Sequence, residues 1–121
     1  MPAELTPERE DVYRLDVSGR LSSAELDTAG RALVDGMRTA PGGTVRLLVV
    51  LRDFEGWDPG SNWSSLTFYA RHGDGIGRLA LVGDDRWRDL AMMFSAAGLR
   101  KAQVEYFTHD AVDKAHEWLV R

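Results

Sequence analysis

Val45-Arg46-Leu47-Leu48-Val49-Val50-Leu51-Arg52-Asp53-Phe54-Glu55-Gly56-Trp57-Asp58-Pro59-Gly60-Ser61-Asn62-Trp63 is the stretch on which the reading of this chain turns. Residues 47–51 are apolar without a break. A strand that avoids water on both faces belongs in the middle of a sheet with helices above and below it. The segment after it is predicted as a loop tip, and it is an odd one. Loop tips favour small polar residues, yet Phe54, Trp57 and Trp63 fall within ten positions. Large aromatics beside the carboxyl end of a central strand, where open α/β sheets take their ligands, mark the best candidate site in the chain.

Outward from this stretch, one strand-helix theme recurs four times. Residues 11–18 alternate apolar and polar, with Val12 on the face opposite Tyr13, Leu15 and Val17, as in a strand near a sheet edge. Ser22-Ser23-Ala24-Glu25 then offers a capping box for a helix with Leu26, Ala29, Leu33 and Met37 on one stripe, stopped by Pro41-Gly42-Gly43. The second unit is the central strand and a helix starting near Ser61 or Asn62. The third is a strand over 76–83, a cap at Asp84-Asp85 and a helix to about Ala97, closed by Gly98. The fourth is a strand over 102–107 and a helix from about Asp110, with Val112, Ala115, His116 and Leu119 facing inward. Residues 3–5 read as a short edge strand.

Strands alternating with helices at these spacings define an α/β fold: a single domain with a mostly parallel sheet of four to five strands, mixed at the edge.

Composition narrows the function. The chain has 121 residues, enough to bury a core without staples, and no cysteine, which removes disulfides, thiol catalysis and cysteine-ligated zinc. A formal net charge of −4 disfavours nucleic acid, which selects a basic stripe. The first ten residues are polar and acidic, unlike a signal peptide, and no apolar run approaches the roughly 20 residues that span a bilayer. The expectation is a cytoplasmic protein.

The strings Arg52-Asp53-Phe54-Glu55-Gly56-Trp57, Arg78-Leu79-Ala80-Leu81-Val82-Gly83-Asp84 with Arg86-Trp87, Val104-Glu105-Tyr106-Phe107 and Ala115-His116-Glu117-Trp118-Leu119, taken in this order, resemble the SpoIIAA-like family of small bacterial proteins. The resemblance runs from about Asp11 onward. It implies strand-helix units related to the STAS and CRAL-TRIO folds, and a non-enzymatic protein, often dimeric, that binds an apolar ligand or a membrane surface. Anti-sigma antagonists of the STAS group carry an Asp-Ser-Ser-Gly phosphorylation motif after the corresponding strand. Here Asp53-Phe54-Glu55-Gly56 stands in that place, with no serine before Ser61, which argues against such a phospho-switch.

Three groups of candidate residues follow. Phe54, Trp57, Trp63, Leu66 and Phe68 form an aromatic loop and helix that either cover an apolar, lipid-like ligand or are ordinary core; Asp53 and Gly56 shape the loop. On the third helix, counting roughly 100° per residue places Trp87, Leu90, Ala91 and Phe94 inward and Met92 with Ala96 outward, with Met93 on a shoulder. That helix is uncharged from Leu90 to Leu99, so Met92, Met93 and Ala96 are read as a homodimer interface, with peripheral membrane contact or plain burial as the other readings. Asp53, Asp84 and Asp85 end strands on one edge and would serve a metal-assisted hydrolase or phosphotransfer protein, though helix capping explains Asp84 and Asp85 as well. His109 and His116 are seven apart without a carboxylate to complete a zinc set. Gly73-Asp74-Gly75-Ile76-Gly77 precedes a strand rather than a helix, the wrong context for a dinucleotide. No catalytic residue, metal or cofactor is assigned; the leading reading is a binding or regulatory module.

Overall fold

A computed structural model describes residues 3–9, 11–60, 75–98 and 103–121, with the side chains of 41 and 94–98 outside the description. Its sheet has five strands in the order β1 (Ala3–Pro7), β2 (Val12–Leu21), β3 (Val45–Trp57), β4 (Ile76–Gly83) and β5 (Gln103–Thr108). β1 is antiparallel to β2, and every other neighbouring pair is parallel. The edge strand expected over 3–5 is present and runs on to Pro7.

Helix α1 (Ser23–Thr39) begins as its sequence dictates. Ser22 accepts from the Glu25 amide while the Glu25 carboxylate accepts from the Ser22 amide, which closes the capping box. Leu26, Leu33 and Met37 are buried against the sheet, and Ala29 packs beside them. Gly36 lets the helix lie close to β2, since a Cβ there would run into the Tyr13 hydroxyl. Helix α2 (Arg88–Gly98) follows a 3-10 turn over Asp85–Trp87, and helix α3 (Val112–Val120) ends the chain.

The sheet carries a core on each face. On one, α1 and Ala91 of α2 cover Leu15, Val17, Leu47, Val49, Leu51, Leu79 and Leu81. On the other, Ala115 and Leu119 of α3, both fully buried, cover Val12, Leu48, Val50, Ala80 and Val82. Val12 thus opposes Leu15 and Val17, as the alternation predicts.

Two expectations need correction. The first concerns the supposed loop tip at residues 52–57, which is a continuation of β3. Because β2 reaches Leu21, it pairs Gly19 with Phe54, Arg20 with Gly56 and Leu21 with Trp57. The register slips twice, leaving extra residues in β3 on each side of Phe54.

The second concerns α2. Leu90, read as inward, is 49% exposed, whereas Met92, read as outward, packs on the core. Trp87 lies in the 3-10 turn, which winds tighter than an α-helix, so counting phase from Trp87 rotates the predicted stripe. The second-unit helix, with Trp63, Leu66 and Phe68, lies outside the described residues.

Candidate functional site

The bulges in β3 build the site. Leu47, Val49 and Leu51 share the α1 face, and an unbroken strand would continue that face through 53, 55 and 57. The one extra residue at 52–53 shifts the parity, so Phe54 follows Leu51 into the core and is 5% exposed. The irregularity shows in the backbone: Asp53 has φ +50 and Gly56 φ +108. Aspartate tolerates the left-handed region better than most residues, while a φ of +108 belongs to glycine. A Cβ on Gly56 would also press to 3.2 Å from the Trp87 ring. Asp53 and Gly56 therefore shape this segment as expected, within a strand rather than a loop.

Phe54, Trp57 and Trp87 meet edge to face, with centroids 5.0 Å apart for Phe54 to each tryptophan and 6.0 Å between the tryptophans. The Arg86 guanidinium lies 4.7 Å over Trp87. This cluster separates two spaces. Below it, between the sheet, α1 and Ala91, is a cavity of about 70 Å³ whose described lining is predominantly apolar. It includes Leu5, Leu26, Ala29, Leu33, Phe54 and Trp57.

Above the cluster, beside the bulge of β3 and just past the carboxyl ends of β4 and β5, is a polar cleft of about 610 Å³ lined by Leu51, Arg52, Asp53, Phe54, Asp84, Arg86, Trp87 and His109. Leu51 and Phe54 line both spaces and form the partition between them.

Several polar groups around the cleft are already committed. The Asp84 carboxylate accepts from the Arg86 amide at 3.2 Å, capping the turn before α2. Asp85 pairs with Arg88 at 3.3 Å. Tyr106 donates its hydroxyl to the Asp84 carbonyl at 2.7 Å. Burial pushes the Tyr106 pKa up to about 12, against Arg88, which pulls it down; Asp84 and Asp85 add to the rise. Gly83 makes room for this bond, since a Cβ there would lie 2.7 Å from the Tyr106 hydroxyl and 3.1 Å from Leu51. At the end of β5, Thr108 donates to Asp110 at 2.6 Å, and chiefly this bond holds the Asp110 carboxyl below its ordinary pKa.

Asp53 and Asp84 do converge on one cleft, while Asp85 is not part of its described lining. Among the described residues no three His, Asp or Glu side chains are grouped to hold a metal ion. His109 lines the cleft before α3 begins; His116 is bound to Glu8 at 2.6 Å.

Sequence reading missed Arg46 and Arg78. Arg46 donates to the Leu119 carbonyl and Arg78 to the Trp118 carbonyl, each at 2.8 Å, at the carboxyl end of α3. Arg78 also sits 5.4 Å over Trp118. An arginine opening an otherwise apolar strand was the available signal. Of the residues read as an interface, Met93 is 69% exposed, Met92 is half-buried on the core, and the Ala96 side chain lies outside the description. No described helix is long and apolar enough to cross a membrane.

Known proteins place this arrangement in a lineage. A crystal structure of an uncharacterized protein of the DUF3478 family with a SpoIIAA-like fold, from Shewanella loihica PV-4, superimposes with a TM-score of 0.66 at 17% identity, covering 97% of this chain and 91% of that one. No curated protein matches the sequence. The SpoIIAA-like family model matches residues 12–120, which take in β2 to α3 and every residue of the polar cleft, and the protein belongs to the SpoIIAA-like family.

Proposed function

We propose that the protein is a non-catalytic binding module that takes a small apolar group into the cavity between the sheet and α1. The observation that carries this reading is the cavity itself: its described lining residues are aliphatic, aromatic or glycine, with Phe54 and Trp57 among them. Transfer of apolar surface from water drives such binding without further chemistry. At about 70 Å³ the space is smaller than the roughly 150 Å³ cavity known to accept benzene, so the occupant is short, or side chains move to admit it. Phe54 and Trp57 are the residues on which the reading rests. The hydrolase or phosphotransfer alternative gains less support, because Asp84 serves as a cap and Asp85 pairs with Arg88.

The test is titration with uncharged probes, 1-hexanol, 1-octanol and benzene, followed by amide chemical shifts. Binding is expected to perturb residues around Leu33, Val49 and Phe54, and Ala29→Leu, which fills the space, is expected to weaken it. A chain that stays folded and binds none of these probes would defeat the reading.

We propose as well that Leu90 and Met93, the exposed large hydrophobic residues among those described, meet a second copy of the chain.

A further inference from the structure

The cavity and the cleft meet at two shared lining residues, Leu51 and Phe54, and their chemistry is opposite. We infer that together they form one site for an amphiphilic monoanion, a short acyl or aryl carboxylate. Its apolar end would lie below Phe54 and its carboxylate in the cleft at Arg52 and Arg86. The inference rests on the apolar-cavity reading and adds the head group to it.

The sign of the head group follows from which polar groups are free. Among the described residues Arg52 makes no hydrogen bond or ion pair, and Arg86 spends one long 3.5 Å bond on the Phe54 carbonyl while its face rests on Trp87. A guanidinium carries five donors in a fork that fits a carboxylate, so the cleft holds a large surplus of donors. On the acceptor side Asp84 is engaged as a cap, which leaves Asp53, set at φ +50 on the cleft wall. The two arginines balance the two aspartates of the described lining in formal charge. That balance favours a single negative charge over a polyanion, and Asp53 opposes a second charge nearby. His109 adds a ring nitrogen to the same cleft.

The partition also explains why one ligand is the better reading than two. Leu51, Phe54 and Trp87 are among the residues lining the cleft, so a purely polar ligand would leave part of its wall without an apolar partner. A purely apolar one would leave the arginine forks in water. An amphiphile satisfies both at the same place.

The experiment compares octanoate, methyl octanoate and 1-octanol on the full chain by calorimetric titration at neutral pH. Octanoate is expected to bind roughly tenfold tighter than either uncharged probe, the scale of one hydrogen bond to a charged group. In Arg52→Gln with Arg86→Gln the preference is expected to vanish while 1-octanol binds as before, and that unchanged affinity shows the variant folded. Added salt is expected to shrink the preference in the wild-type chain. Equal binding of octanoate and 1-octanol, or a preference that survives the double substitution, would overturn the head-group assignment and leave the cavity reading standing. No binding by any of the three would overturn both.

Discussion

Single residues decide where the two spaces meet. Asp53 at φ +50 and Gly56 at φ +108 bend β3 so that Phe54, rather than residue 53 or 55, enters the core. Tyr106 ties β5 to the end of β4 through its bond to the Asp84 carbonyl. Its pKa is raised from 10.0 to about 12, first by burial. A raised acid holds its proton longer in the folded state than in the unfolded one. Its contribution is therefore complete below pH 10 and is lost as pH rises from 10 to about 12. Two pH units correspond to at most about 2.7 kcal/mol, and solvent screening trims that ceiling. Denaturant titrations across that window are expected to show stability falling more steeply in the wild-type chain than in Tyr106→Phe. Parallel slopes would mean that Tyr106 ionises as freely in the folded chain as in the unfolded one.

Elements are fixed by what satisfies their ends. α1 carries its own start in Ser22 and Glu25, which is why it was legible from four residues. α3 depends on distant help. Its N-cap, Ala111, gives no side-chain bond, and its last carbonyls accept from Arg46 at the start of β3 and Arg78 near the start of β4. Cations at a helix carboxyl end oppose the macrodipole and fill orphan acceptors. Replacing Arg46 and Arg78 together by glutamine is expected to cost about 1–2 kcal/mol. The loss is expected to appear as a lower denaturation midpoint, with early amide exchange in α3. An unaltered midpoint would leave these contacts without energetic weight. α2 shows the limit of counting: the turn before it changed the phase, and Leu90 came out where Met92 was expected.

At the scale of the molecule, among the described residues α1 and α2 cover one face of the sheet and α3 the other, and Leu90 and Met93 of α2 stay exposed. If a second copy covers Leu90 and Met93, sedimentation of the wild-type chain gives a dimer and Met93→Glu gives a monomer with unchanged circular dichroism. A wild-type monomer, or a dimer that persists in Met93→Glu, would place the interface elsewhere or remove it.

The sequence by itself determined the α/β architecture and the order of its described elements, because periodicity, caps and apolar runs are local and repeat along the chain, while the family resemblance was carried by four motif strings in order. It also offered Phe54, Trp57, Trp63, Leu66 and Phe68 as a candidate site, since aromatics beside a central strand's carboxyl end are conspicuous in any register. Only the tertiary structure decided that this segment is strand, that Phe54 divides an apolar cavity from a polar cleft, and that Arg52, Arg86 and His109 share that cleft. The reason is physical. A bulge is defined by its partner strand, and the chemistry of a cleft by residues from three strand ends far apart in the chain, so neither is written in any local pattern.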